Sequence, residues 1–190
     1  MSGNALSIGV VGAGTMGAGV AESLARAGHD VTVVDSDQQA VEQARSRMRD
    51  SLRLAILLGR AGGPKPAEVT ARVHWTGQLT DLCDVAVVIE CVPERIDLKE
   101  KIFAELDRVC APDALLASCT SGIPVDRLAA STTRPEQVVG LHFMNRHRSR
   151  TPSRWCGARG RRRSRWTVRW LSSPHWERPA SSSATAPDSC

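Results

Sequence analysis

Residues 6–35 read LSIGVVGAGTMGAGVAESLARAGHDVTVVD, and this stretch decides the fold. Leu6–Val11 is a short apolar run of strand length. Glycines then stand at 12, 14 and 17, the spacing G-x-G-x-x-G. From Met16 to Ala27 the apolar residues Val20, Leu24 and Ala27 recur at helical spacing, and Gly28 sits where a C′ glycine ends a helix. Asp30–Val34 is a second apolar run, closed by Asp35. The order strand, glycine loop, helix, strand is a βαβ unit, and it gives the loop a chemical meaning that a lone glycine pattern lacks. Gly12 allows a tight turn, Gly14 lets backbone approach a pyrophosphate, and Gly17 lets the helix pack close to the strand. The helix N-terminus presents unpaired N–H groups and the positive end of its dipole to phosphate. Asp35, eighteen residues past Gly17, can accept hydrogen bonds from ribose hydroxyls and repel a 2′-phosphate. The loop Gly12–Ala13–Gly14–Thr15–Met16–Gly17 with Asp35 therefore points to NAD rather than NADP as cofactor.

Outward from this unit the alternation continues to residue 145. Gln38–Leu58 reads as a long helix broken by Gly59–Pro66. Val73–Thr76 is a weak strand and Asp84–Glu90 a strong one. Leu98–Cys110 is helical, Ala114–Ser118 another strand, Pro124–Ala130 a short helix and Gln137–His142 a last strand. Strands alternating with helices predict an α/β fold, a Rossmann-type doubly wound parallel sheet covered on both faces.

The composition divides at the same place. Residues 146–190 hold eleven arginines against Glu177 and Asp188, a charge of +9, and subtracting it from the whole-chain +5 leaves −4 for residues 1–145. Four of the five tryptophans also follow residue 146. Arg, Ser, Pro and Trp are scattered there without periodicity, with Arg159–Arg163 as a charged knot, so the last 45 residues are expected to be irregular or disordered. Residues 1–145 form the expected cofactor domain and 146–190 a tail that is no domain. The longest apolar runs, such as Val85–Ile89, are far too short to span a bilayer, and Met1–Asn4 carries no basic leader. The six cysteines form no C-x-x-C pair, which predicts free thiols, a cytoplasmic protein and no metal site.

Three stretches, IGVVGAGTMGAGVAESLARAGHDVTVVD, VIECVPERIDLKEKIFAELD and TSGIPVDRLAASTTRPEQVVGLHFMN, resemble the NAD-binding domain of the 3-hydroxyacyl-CoA dehydrogenases. The segment Gly140–Leu141–His142–Phe143–Met144–Asn145 fits a signature of that family. The resemblance covers residues 6–145, about three quarters of the chain. It implies oxidation of a 3-hydroxyacyl thioester to a 3-ketoacyl thioester with hydride passed to NAD. It assigns His142 as the base that takes the hydroxyl proton, a role suited to imidazole, and Ser121 as a hydrogen-bond partner of the substrate oxygen. It places Glu94 and Lys99 beside the ribose and nicotinamide of NAD, and Ser51 near the CoA moiety. By themselves these residues also fit plainer roles: a core histidine, a helix cap at Ser121, a solvated face at Glu94 and Lys99, a surface serine at Ser51. Two positions depart from the family: Cys119 stands where asparagine is usual, and Leu58 where a basic residue lies near CoA. The second leaves open an acyl carrier protein as the thioester carrier, as in polyketide precursor pathways.

The resemblance breaks in mid-motif at Arg146. In the reading frame that joins the last base of each codon to the first two of the next, Asn145–Arg146 restores the proline that follows the signature, and residues 152–156 restore Val-Glu-Val-Val. The recovered glutamate replaces Arg154, twelve positions after His142, the spacing expected for the residue that orients the histidine. Residues 174–190 restore a G-K-x-x-V-V-V and P-G-F pattern in the same frame. The tail is therefore expected to be out-of-frame translation after the loss of one base. On that expectation the chain lacks the glutamate and the helical domain that closes the cleft and forms the family's homodimer. It should bind NAD with reduced affinity and show little turnover. A reading of another class takes the tail as genuine, an Arg/Trp-rich nucleic-acid- or membrane-binding arm on an NAD-binding module; the frame match argues for no nucleic acid and no membrane as partners.

Overall fold

A computed structural model describes residues 5–59 and 63–141, together with the backbone of residues 155–157. In chain order the elements are β1 (Ser7–Val11), α1 (Thr15–Arg26), β2 (Asp30–Val34), α2 (Gln38–Leu57), α3 (Pro66–Ala71), β3 (Val73–Thr76), β4 (Val87–Glu90), α4 (Ile96–Val109), β5 (Leu115–Ser118), α5 (Val125–Ala129), β6 (Val138–Leu141) and β7 (Trp155–Gly157). The sheet runs β3-β2-β1-β4-β5-β6-β7. The first six strands are parallel and β7 is antiparallel to β6. β1 lies at the centre, with Val10 opposite Val33 on one side and Ile89 on the other. The chain leaves β1 toward β2 and later crosses to β4, so the order reverses beside β1, and a crevice opens at the C-terminal ends of these strands.

Alternation along each strand builds two cores. Val87, Ile89, Leu115 and Ala117 face one side, with Val20, Ala21, Val41 and Met48 from α1 and α2. Val88 and Leu116 face the other, with Phe103, Leu106 and Leu128 from α4 and α5. Burial on both faces explains why β4 reads as a continuous apolar run. The helices bury residues at three- and four-residue steps: Val41, Ala44, Met48 and Leu52 in α2, Lys99, Phe103 and Leu106 in α4. Asp37 caps α2 by accepting from the Gln39 amide at 2.8 Å. At the far end of α4, the buried Arg134 guanidinium donates to the carbonyls of Leu106, Asp107, Cys110 and Ala111 and to the Asp107 carboxylate. It satisfies carbonyls that a helix leaves unpaired and places a cation at the negative end of the dipole.

The expected parallel sheet is present, with four differences. Helix α3 occupies residues left without an element; Pro66 opens it and the Glu68 side chain accepts from the Lys65 amide at 3.2 Å. The strand expected from Asp84 begins at Val87, because a 3-10 turn at Leu79–Leu82 brings the chain up to the sheet. A second 3-10 turn, Pro135–Gln137, leads into β6. Residues 155–157, expected to be irregular, pair with β6 through register Leu141↔Trp155 and Val139↔Gly157. An open sheet edge offers N–H and C=O groups to any extended segment whatever its side chains. His142, the remainder of the signature and the rest of the tail lie outside the described residues.

Candidate functional site

The glycine loop joins β1 to α1 at the crevice. Gly12 has φ +102°, its amide donates to the Val34 carbonyl at 2.8 Å, and a Cβ there would lie 3.0 Å from the Cys91 backbone. A Cβ at Gly17 would lie 1.8 Å from the Gly12 carbonyl oxygen. Both glycines are demanded by the fold itself. Gly14 is not: its φ is −62° and a Cβ would meet nothing within 4 Å. The open space there leaves room for a ligand to lie against that backbone. The residues that follow, Thr15, Met16 and Gly17, carry first-turn amides with no partner inside the helix. The loop therefore fits a pyrophosphate laid across Gly14.

Asp35 sits at the end of β2 and organises the loop. Its Oδ2 accepts from the Ala13 amide at 2.7 Å and its Oδ1 from the Asp37 amide at 3.0 Å. The Arg47 guanidinium donates to the Ala13 carbonyl at 3.0 Å and braces the loop from α2. Each Asp35 oxygen keeps a further lone pair, so a ribose hydroxyl can still donate to it. Ser51, on the exposed side of α2, donates to Glu22 Oε1 at 3.1 Å and ties α2 to α1.

A second cluster lies at the ends of β4 and β5. Glu90 and Lys99 are both fully buried. Lys99 Nζ donates to the two Glu90 oxygens at 2.7 and 2.8 Å, and Glu90 also accepts from the Ser118 hydroxyl at 2.6 Å and the Val92 amide at 2.7 Å. Lys99 further meets Glu94 Oε2 at 3.3 Å. Lys99 is thus no part of a solvated helix face. Glu94, at the exposed lip, accepts through Oε1 from the Thr120 hydroxyl and from the Ser121 and Gly122 amides at 3.0 and 3.2 Å. Partial burial raises the Glu94 carboxyl pKa, but these hydrogen bonds and the Lys99 charge outweigh it and hold the group below the ordinary carboxylate range. Thr120, not Ser121, turns the chain toward α5, accepting from the Ile123 amide at 2.9 Å. The Ser121 hydroxyl has no partner among the described residues and is exposed.

The structure places Gly12, Ala13, Gly14, Thr15, Met16, Gly17 and Asp35 at the C-terminal ends of β1 and β2, and Glu94 and Ser121 beyond those of β4 and β5, with Lys99 fully buried beside Glu94. It leaves Ser51 away from both clusters on the helix surface. Sequence reasoning missed Glu90 and Arg47. Glu90 carried a signal, a carboxylate ending a fully apolar strand nine residues before a lysine on the buried stripe of α4. Among the described residues no group of three or more His, Cys, Asp or Glu is arranged to hold a metal ion, and no helix is long and apolar enough to cross a membrane.

The family described as "3-hydroxyacyl-CoA dehydrogenase, NAD binding domain" matches residues 7–149. A 3-hydroxybutyryl-CoA dehydrogenase of Mycobacterium tuberculosis is 45% identical over 139 residues, 73% of this chain and 49% of the relative. The crystal structure of M. tuberculosis FadB2 superposes with a TM-score of 0.72 at 44% identity, covering 75% of this chain and 50% of that one. The (S)-3-hydroxybutyryl-CoA dehydrogenase of Ralstonia eutropha gives a TM-score of 0.72 at 34% identity, with 75% and 50% covered. The chain spans about half the length of these relatives.

Proposed function

The chain belongs to the 3-hydroxyacyl-CoA dehydrogenase family through its NAD-binding domain, and from that premise we propose that it is the cofactor-binding half of an enzyme that oxidises 3-hydroxyacyl thioesters to 3-ketoacyl thioesters. Bound NAD supplies the hydride acceptor. The observation that carries the reading is Gly14, a glycine the chain's own packing does not require, at the mouth of a helix N-terminus. The amides of the glycine loop hold the pyrophosphate, and Asp35 takes the ribose hydroxyls and disfavours a 2′-phosphate. Glu94 faces the ribose and nicotinamide end, with Lys99 buried behind it holding its carboxylate. Ser121 donates to the substrate oxygen, and His142 takes the proton of the C3 hydroxyl. Ser51 is the residue assigned to the CoA side. A cytoplasmic location goes with this reading.

The carrier of the acyl group is read in two ways. CoA fits the relatives' names, 3-hydroxybutyryl-CoA dehydrogenases. One observation favours an acyl carrier protein as in polyketide precursor synthesis: the end of α2 presents Leu54, Ile56, Leu57 and Leu58 to solvent, with Leu58 at the position where the family resemblance leads one to expect a basic residue near CoA. Residues 146–190 we read as out-of-frame translation. The similarity to relatives covers 73% of the chain, which supports that reading. Restoring one base near codon 145 tests both points. The restored protein is expected to dimerise and to reduce NAD with 3-hydroxybutyryl-CoA or its carrier-bound counterpart, whereas the 190-residue chain binds NAD with little turnover. Normal turnover by the 190-residue chain would sink the frame reading, and a restored protein inert toward both thioesters would sink the proposed reaction.

A further inference from the structure

Cys91 and Cys119 occupy the register step that follows the last ladder pair of β4 and β5, Glu90↔Ser118. The Cys119 amide continues the ladder by donating to the Glu90 carbonyl at 2.8 Å. The two sulfurs lie 3.3 Å apart, with the Cys91 thiol donating to Cys119. Neighbouring strands hold facing Cα atoms about 4.8 Å apart, inside the span of about 4.4–6.8 Å that a disulfide bridges. Closing the sulfurs to about 2.05 Å requires a movement of roughly 1.2 Å from the observed separation. Cys83 is exposed and Cys110 buried, and both are free thiols like the pair itself.

We propose that Cys91 and Cys119 form a reversible disulfide when the protein meets a low-molecular-weight disulfide such as oxidised glutathione, and that the bond weakens cofactor binding at the adjoining crevice. The hydrogen bond sets the order of events. Cys91 keeps its proton because ionising it would lose the donation to Cys119, and donation together with burial pushes that thiol well above its ordinary range. Cys119 therefore attacks first: its sulfur bonds to one glutathione sulfur, the S–S bond of the oxidant breaks, and the Cys119 proton leaves with the released glutathione thiol. The Cys91 sulfur then attacks the Cys119 sulfur, the mixed disulfide breaks, and the Cys91 proton leaves with the second glutathione thiol. Two protein thiols are oxidised and one glutathione disulfide is reduced. The movement draws the Cys91 backbone toward β5. That backbone packs where a Cβ on Gly12 would stand, at 3.0 Å, so one wall of the glycine loop is displaced.

The full chain is treated with oxidised glutathione until the exposed Cys83 has reacted completely, then cleaved with trypsin and an aspartate-directed protease. Cleavage before Asp84 and Asp113 leaves peptides 84–95 and 113–125 with one cysteine each. The expected product is these two peptides joined, lighter by two hydrogen atoms than their sum and separated again by dithiothreitol. In Cys91→Ser, Cys119 should carry a stable glutathione, because its resolving partner is gone. Recovery of both peptides from the native chain as free thiols, or each carrying its own glutathione, would overturn the proposal. NAD titration of the linked form should show affinity at least threefold below that of the reduced form, and equal affinity would overturn the coupling to the crevice. The coupling rests on the NAD reading, but the two fail separately: a reduced chain that ignores NAD defeats that reading, while the peptide link is scored without NAD.

Discussion

Substituting Gly17 and Gly14 by alanine separates what the glycine loop does for the fold from what it does for a ligand. At Gly17 the added Cβ would stand 1.8 Å from the Gly12 carbonyl oxygen, against an ordinary contact of 3.4 Å or more, so backbone must move by about 1.6 Å. Neither partner can retreat cheaply. The Gly12 amide is held by Val34 and its α-carbon lies against the Cys91 backbone, while α1 buries Gly17, Ala18, Val20, Ala21 and Ala25 in the core. Overpacking of this kind costs about 3 kcal/mol or more, a large part of the roughly 5–15 kcal/mol that holds a domain together. At Gly14 the Cβ meets nothing and φ is already −62°, so Gly14→Ala should cost no more than about 1 kcal/mol, the usual range for a helix N-cap. Its effect should fall on NAD, with affinity reduced at least tenfold, about 1.4 kcal/mol. Urea unfolding followed by circular dichroism reads the first quantity and calorimetric titration the second. A Gly17→Ala variant that unfolds at the native midpoint would rule out the steric role of Gly17, and a Gly14→Ala variant that binds NAD as the native chain does would rule out the ligand role of Gly14.

Lys99→Met should destabilise by about 3–5 kcal/mol, measured by urea unfolding, because it strands the fully buried Glu90 carboxylate; a loss under about 1 kcal/mol would contradict the buried pair. Arg134→Ala should lose about 2–4 kcal/mol by uncapping α4 and leaving Asp107 unpaired, and a native-like midpoint would contradict the capping role. Glu94 and Asp107 both titrate lower in the folded chain than in the unfolded one. For Asp107 burial acts upward, and the Thr133 and Arg134 contacts overcome it. The stability they contribute is therefore complete above the ordinary values of 4.5 and 3.8 and is lost as pH falls below them. The urea midpoint should drop on acidification in that window, and the double variant Glu94→Gln, Asp107→Asn should show a visibly shallower drop; an identical slope would remove these two groups from the account. Asp35→Asn should narrow the preference for NAD over NADP at least tenfold in paired titrations, and an unchanged ratio would deny Asp35 its discriminating role.

The parts of the fold that follow from local patterning were legible in the sequence. β2 occupies Asp30–Val34, the run its apolar residues predict, and Gly28 and Gly59 take the positive φ values of +95° and +66° suited to helix ends. Strand starts were less legible. Asp84–Ala86 looks like strand as the lead-in to an apolar run, yet the chain reaches the sheet through a turn set by the buried Leu82, a tertiary contact. The cofactor loop was readable because Gly12 and Gly17 each have a steric task inside the chain, while Gly14 leaves open space beside its backbone. The role of Lys99 was not, since a lysine on a helix is read as solvated unless its partner is known, and Glu90 is a neighbour only after β4 and α4 fold together. The pairing of residues 155–157 with β6 could not be read either, because edge pairing uses backbone groups common to all residues.

The most direct test of the account is calorimetric titration of the 190-residue chain with NAD and, separately, with NADP under reducing conditions. Saturable binding of one NAD per chain, at least tenfold tighter than NADP, is expected. No binding of NAD by a folded chain, or equal affinity for the two, would contradict it.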